Sequence, residues 1–194
     1  MPADTTAVNK MMNKFDDHPS VWLFGYGSLI FKAGFPFVDR RPASIVNWSR
    51  RFWQGSYDHR GTEAAPGRVV TLIAQAGEIC EGMAYLITPD VFEHLDQREK
   101  NGYLRLPIEM TFEDGSVAEG LVYIATEENP AFLGPATERD IARQIAGSVG
   151  PSGHNKEYLV GLAEALRSLG RDDRHVFEIE RHLLELQGDE LPIV

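Results

Sequence analysis

Hydrophobic and polar positions along the chain change period about two thirds of the way through. Residues 22–31, Trp-Leu-Phe-Gly-Tyr-Gly-Ser-Leu-Ile-Phe, open as an apolar strand that runs straight into the loop Gly25-Tyr26-Gly27-Ser28. Segments 44–54, 68–74, 81–87, 105–112 and 117–125 also read as strands. The clearest pair flanks Asp114-Gly115: Leu106, Ile108, Met110 and Phe112 alternate before it, and Leu121 and Tyr123 after it, which is a strong hairpin signal. Beyond residue 90 a helical period appears. Asp90 with Glu93 suits the start of a helix over 91–99. Thr137 with Asp140 suits the start of one over 138–146, with Gly147 as its stop. Tyr158, Leu162, Leu166 and Leu169 share one helix face, and Val176, Ile179, Leu183 and Leu186 another. Strands crowding ahead of helices predict an α+β fold. Residues 1–20 are polar and read as a flexible N-terminal extension, so one domain is expected over 21–194.

Composition narrows the classes of function. The net charge of −10, from 29 acidic and 19 basic residues, argues against nucleic acid or an anionic membrane as partner. The single cysteine, Cys80, excludes an internal disulfide and lies in an apolar stretch that predicts burial. No run approaches the ~18 apolar residues of a membrane span, and residues 1–19 lack the apolar core of a secretory signal. A cytoplasmic location is the simplest expectation. Nothing in the pattern specifies an oligomeric state.

Two places carry candidate chemistry. In the first, Gly25 and Gly27 allow close approach to the main chain, and successive N–H groups in such a turn can cradle an anion. The loop therefore suits either a small anionic ligand or a plain tight turn. It is not a dinucleotide fingerprint, because Ile30 stands where the third glycine belongs. It is not a nucleophile elbow, because Tyr26 precedes Ser28 where a glycine is needed, and no P-loop Gly-Lys-Ser/Thr occurs anywhere. The second place is Arg98-Glu99-Lys100-Asn101-Gly102-Tyr103, where a helix is expected to stop. On residue type alone it reads as a charged, solvated last turn, and Arg98 need not pair with its neighbour Glu99.

The chain resembles the ChaC family of γ-glutamylcyclotransferases, in its glutathione-specific branch. The matching stretches are Phe-Gly-Tyr-Gly-Ser-Leu-Ile (24–30), Ser-Arg-Arg-Phe-Trp-Gln-Gly-Ser (49–56), Asp-His-Arg-Gly (58–61), Pro-Gly-Arg-Val-Val-Thr-Leu (66–72), Arg-Glu-Lys-x-Gly-Tyr (98–103), Leu-Gly-Pro (133–135) and Gly-Pro-Ser-Gly-x-Asn-x-Glu-Tyr-Leu (150–159). They fall in the family's order and cover about 21 to 160. The resemblance implies a small mixed β-barrel-like sheet with surrounding helices. It also implies intramolecular aminolysis of glutathione, giving 5-oxoproline and cysteinylglycine, with no metal or organic cofactor.

Glu99 matches the family's catalytic glutamate, as general base and then general acid. The loop Tyr26, Gly27, Ser28 and Leu29, approached through Phe24 and Gly25, matches the substrate loop. Arg68, Tyr103 and Tyr158 lie in matched motifs and are implied as further substrate contacts, as Arg51 and Arg60 are more weakly; on residue type each arginine suits a structural ion pair better, and the two tyrosines suit the core as well as a pocket. Phe31 stands where the family often has tryptophan, and His154 where arginine is frequent. A cyclotransferase for other γ-glutamyl amines or dipeptides is one alternative, and a non-catalytic γ-glutamyl-binding module another.

Overall fold

A computed structural model describes residues 4–189. The chain packs as two compact units, each assembled from separate stretches: the first takes the residues up to Arg50 and Thr71–Phe132, the second Arg51–Val70 and the chain from Leu133 onward.

The first unit is built on a closed five-stranded barrel. Its strands are β1 (Val21–Gly25), β2 (Asp39–Ser56), β3 (Gly67–Ile87), β4 (Tyr103–Phe112) and β5 (Val117–Ala125), in the order β1-β3-β2-β4-β5. The α+β class and the barrel-like sheet are thus as expected. Antiparallel pairing sets Val21 opposite Ile87 and Gly25 opposite Met83, and parallel pairing of β1 with β5 closes the ring at Trp22–Gly120 and Leu23–Leu121. β1 lies between two neighbours, so it is buried almost throughout and reads as a continuous apolar run. β4 and β5 form the hairpin signalled by Asp114-Gly115, and Gly115 takes a φ of 81°.

The segments 68–74 and 81–87, expected as two strands, are one strand, β3. Between them Gln75–Ile79 is exposed and polar enough to read as a turn, but Gly77 (φ 83°) and Asn47 (φ 66°) carry the chain through, and the Gly77 N–H donates to Asn47 Oδ1 at 2.9 Å. The ends of β2 and β3 beyond Arg50 and before Thr71 belong to the second unit.

Helix α2 (Phe92–Arg98) follows a 3-10 turn at Pro89–Val91. Asp90, expected as its N-cap, instead lies inside that turn: Pro89 pre-sets the first helical position, so the chain turns two residues earlier, at Thr88. Where a loose extension is expected before Val21, the described part carries helix α1 (Thr6–Met11), with Asn9 fully buried.

The second unit holds α3 (Glu138–Gly147), the short ribbon of β6 (Val149–Gly150) and β7 (Gly153–His154), α4 (Asn155–Ser168) and α5 (Arg174–Asp189). The Thr137 hydroxyl accepts from the Asp140 N–H at 3.2 Å, the cap read from the sequence. Tyr158, Leu162 and Leu166 on α4, and Val176, Ile179 and Leu183 on α5, are buried. Leu169 and Leu186, the last of each predicted face, are half-exposed near the helix ends.

Barrel closure demands a residue without a side chain at position 120. A Cβ there would lie 2.1 Å from the Trp22 carbonyl oxygen and 2.9 Å from Met110 Cε. Because the nearest atom is backbone, Gly120→Ala should lower unfolding free energy by at least ~2 kcal/mol. Urea denaturation followed by fluorescence checks this, and an unchanged midpoint would contradict the tight closure.

Candidate active site

Strand β1 ends at Gly25, where the backbone leaves the sheet. A Cβ on Gly25 would sit 2.7 Å from Leu29 Cβ, so glycine lets the loop fold tightly back over the strand end. Gly27 then caps a 3-10 turn over Ser28–Ile30. Phe24, Gly25, Tyr26 and Gly27 are buried, whereas Ser28 and Leu29 are half-exposed. Neither Gly25 nor Gly27 has a positive φ, so close approach and not a left-handed turn accounts for Gly25.

A loop outside the sheet loses its strand partners, and its buried carbonyls must be met otherwise. Side chains meet them. The Arg50 guanidinium, itself buried, donates through Nε to the Tyr26 carbonyl at 2.6 Å and through Nη2 to the Glu81 carbonyl. The Tyr85 hydroxyl donates to the Leu29 carbonyl at 2.6 Å. The Tyr26 hydroxyl donates to the Tyr123 carbonyl at 2.7 Å. Arg98 donates through Nη1 to the Ala33 carbonyl, and its Nη2 lies 3.4 Å from both the Lys32 carbonyl and Ser28 Oγ.

Glu99 is the residue at which α2 ends. Its N–H still donates to the Leu95 carbonyl at 2.8 Å, and its carbonyl accepts from the Tyr103 N–H at 3.2 Å across the turn made by Gly102 (φ 89°). The side chain is only 18% exposed, which rules out the solvated last turn. Burial pushes its carboxyl above the ordinary 4.5, opposed by the nearby Arg98 charge. Arg98 Nε lies 3.4 Å from Glu99 Oε1, so these sequence neighbours do pair: the helix has ended, and the side chains no longer diverge as they would within it. One guanidinium therefore touches both the loop hydroxyl of Ser28 and the carboxylate of Glu99.

Behind this pair lies a buried polar group. The Tyr123 hydroxyl donates to Asp96 Oδ1 at 2.7 Å, and Arg105 Nη1 stands 3.8 Å from Asp96 Oδ2. Burial and the Asp96 carboxylate push the Tyr123 phenol far up, and the Glu99 charge adds to this. Tyr123 is therefore a permanent hydrogen-bond donor at neutral pH.

Most of the expected site lies in the first unit. Arg98 brings Ser28 and Glu99 together, and Tyr103 follows the Glu99 turn, half-buried, with its main chain bound to the Glu99 carbonyl. Arg68 and Tyr158 belong to the second unit and hold it together. Arg68 donates to the Phe52 carbonyl at 2.9 Å, the Gly134 carbonyl at 3.1 Å and Gln144 Oε1 at 2.6 Å. The Tyr158 ring packs edge-on against Phe52, and its hydroxyl accepts from the Val70 N–H at 3.5 Å. Arg60 pairs with Glu157 at 3.1 Å and donates to the His154 carbonyl at 3.0 Å.

Sequence reasoning passed over Arg50, Tyr85, Asp96 and Tyr123. The available signal for Arg50 was its place in the matched stretch 49–56. No local signal marks the other three. Among the described residues no group of three or more His, Cys, Asp or Glu side chains is arranged to hold a metal ion, and no helix is long and apolar enough to cross a membrane.

A family model described as ChaC-like protein matches residues 21–186. The chain belongs to the ChaC-like family. It is 45% identical over 189 residues to γ-glutamylcyclotransferase 2-3 of Arabidopsis thaliana, covering 90% of this chain and 94% of that protein. It is 43% identical over 176 residues to glutathione-specific γ-glutamylcyclotransferase 1 of Danio rerio, covering 85% and 89%. A crystal structure of the yeast γ-glutamyl cyclotransferase specific to glutathione superposes with a TM-score of 0.78 at 33% identity, covering 87% of this chain and 97% of that one.

The buried Glu99 carboxyl has a consequence for stability. An acid whose folded-state pKa is raised supports the fold fully below its unfolded value, near 4.5, and loses that contribution as pH rises through the folded value. Ionised Glu99 therefore weakens the ChaC-like fold at neutral pH. Glu99→Gln should raise the melting temperature at pH 7–8, and the gain should shrink as pH falls toward 4.5. Melting curves of both proteins across this range check the sign, and a variant less stable at pH 8 than at pH 5, relative to wild type, would contradict it.

Proposed function

We propose that this chain cleaves glutathione into 5-oxoproline and cysteinylglycine, with Glu99 carrying the proton. The observation that carries the reading is the shielded Glu99 carboxylate sharing one guanidinium, Arg98, with Ser28 of the glycine loop. Membership of the ChaC-like family, and relatives named for glutathione, supply the substrate.

The reaction is internal. The α-amine of the γ-glutamyl group attacks its own γ-carbonyl carbon; a C–N bond forms to close the five-membered ring, and the C–N bond to cysteine breaks. The amine starts as an ammonium and ends as a lactam N–H, so two protons must leave it; the departing cysteine nitrogen starts as an amide N–H, gains one to leave as an amine and a second to become an ammonium. Glu99 carries a proton from the α-nitrogen to the leaving nitrogen in each of these two transfers, and no water or co-reactant enters the balance. A carboxyl with a raised pKa suits both steps, because efficient acid–base transfer favours a pKa close to the working pH. A free α-amine titrates near ~8, so the raised Glu99 pKa makes the first transfer less uphill than it would be to an ordinary carboxylate.

The loop 26–29 presents main-chain N–H groups to the substrate's α-carboxylate, and the Ser28 hydroxyl or the same N–H groups stabilise the oxyanion that develops at the γ-carbonyl. Folding the γ-glutamyl arm into attack geometry removes rotational freedom before the bond forms, which can contribute several kcal/mol.

Mixed with glutathione, the purified chain should release equimolar 5-oxoproline and cysteinylglycine by mass spectrometry, and turn over γ-glutamyl-alanine more slowly. Glu99→Gln should lower turnover at least ~100-fold with the circular dichroism spectrum unchanged. Full activity in that variant would remove Glu99 from the chemistry. Equal rates on both substrates would favour a general γ-glutamyl cyclotransferase.

A further inference from the structure

We infer that the N-terminal segment Thr5–Met12 is a positioning strap for Glu99, acting through Thr5 and Asn9. This rests on the reading of Glu99 above. The segment lies outside the stretch that the family model matches, 21–186, yet its polar groups converge on the turn that follows Glu99. The Thr5 N–H and hydroxyl both donate to the Lys100 carbonyl, at 3.0 and 3.1 Å, and the hydroxyl lies 2.9 Å from the Tyr103 carbonyl. Asn9 Nδ2 donates to the same Tyr103 carbonyl at 2.9 Å, and Asn9 Oδ1 accepts from the Arg105 N–H at 2.8 Å. A bridge between Asp4 and Asn101 adds a further main-chain tie. The strap thus reaches the main chain at Lys100, Tyr103 and Arg105, with Asp4 beside it at Asn101.

Arg105 shows what the strap covers. Pro107 and Glu109, two and four residues along β4, are exposed, so Arg105 belongs to the outer face of the strand; nevertheless it is only 4% exposed. Its Nη2 donates to the Asn9 carbonyl at 2.7 Å and the Met12 carbonyl at 2.8 Å, the C-terminal carbonyls of α1, where a cation is favoured. Its guanidinium lies 4.6 Å from the Phe92 ring centroid on α2 and faces Asp96. The charged and titratable groups around the end of α2 are then Asp96, Arg98 and Glu99 on the helix and its cap, Lys100 in the turn, Arg105 on β4 and Tyr123 on β5. From the N-terminal segment the exposed Asp4 carboxylate adds a charge, toward Lys100, and Thr5 and Asn9 are themselves uncharged. The strap supplies carbonyls to Arg105 and donors to the turn, and so sets where Glu99 stands without touching it. Without those groups, a buried guanidinium and two carbonyls would lose partners, and the turn would have to move to recover them.

The test uses the full-length protein with Asn9→Ala, Thr5→Val and Thr5→Ser. Readouts are kcat and KM for glutathione, the pH dependence of kcat, and amide hydrogen exchange over residues 99–105. Asn9→Ala should lower kcat roughly tenfold, because small displacements of an acid–base group are costly, while KM stays within about twofold. The acidic limb of the kcat profile should shift, and exchange should quicken in 99–105 ahead of the rest of the barrel. Thr5→Val should do the same more weakly, and Thr5→Ser, which keeps the hydroxyl, should behave as wild type. If Asn9→Ala fails to fold, the Thr5 pair decides. A lower melting temperature with unchanged kcat and acidic limb would make the segment merely structural and overturn the inference. If the wild-type chain does not act on glutathione, the proposed reaction fails while local exchange still reads the strap: quickening confined to 99–105 keeps it, and even exchange across the barrel overturns it.

Discussion

A carbonyl taken out of water needs a hydrogen-bond donor, and in this protein that requirement shapes the site. Strand β1 has two partners in the barrel, but the chain from Tyr26 to Ala33 leaves the sheet and has none. Its own turn meets the Gly27 and Ser28 carbonyls, and donors to the others come from side chains on other elements: Arg50 on β2, Tyr85 on β3 and Arg98 at the end of α2. Each is long enough to cross from its own backbone to the loop. Each also arrives at a fixed place, because its strand or helix is held in the barrel. The loop is irregular in form yet pinned at the carbonyls of Tyr26, Leu29, Lys32 and Ala33, which gives it the fixed geometry that the proposed substrate role calls for.

The same guanidinium that pins the loop also faces the candidate proton carrier. Glu99 is shielded, and its ionised form is disfavoured by burial more than it is helped by Arg98. A carboxylate placed so for packing alone would be a poor choice, since a neutral side chain of the same shape would fit more easily. The arrangement is intelligible if the raised pKa is wanted, and stability is given up locally to obtain it. Asp96, Tyr123 and Arg105 then have a simple part. They hold the end of α2 against β4 and β5 with one buried hydrogen bond and one buried ion pair.

Several residues of the family motifs are engaged with main chain. Arg68 sits within a matched stretch as firmly as Gly25 does, yet its guanidinium ties the carbonyls of Phe52 and Gly134 to Gln144. Asn155, in another matched stretch, accepts from the Arg68 N–H and donates to its carbonyl, joining the start of α4 to β3. His175 likewise accepts the Phe52 N–H at 3.0 Å, and burial lowers its pKa, which keeps that ring nitrogen free to accept. In the second unit, motif residues serve main-chain accounting. Residue identity within a motif says that a position matters, and only the partner atoms say for what.

By itself the chain determined whatever depends on near neighbours. Alternation about Asp114-Gly115 specified the hairpin, because that turn requires positive φ at its glycine. Thr137 and Asp140 specified the start of α3, because a cap is a contact three residues long. The apolar run before Gly25 specified a buried strand, and the ordered set of motifs specified the ChaC-like family. Tertiary structure decided whatever depends on residues far apart in sequence. It closed the barrel through a parallel contact of β1 with β5, about a hundred positions away, and joined two predicted strands into β3 through Asn47. It placed Arg50 under Tyr26, set Arg98 between Ser28 and Glu99, and laid α1 over Arg105. Such contacts follow from where the barrel brings each backbone, and a carboxylate becomes buried or solvated by that placement, whatever its neighbours in the chain.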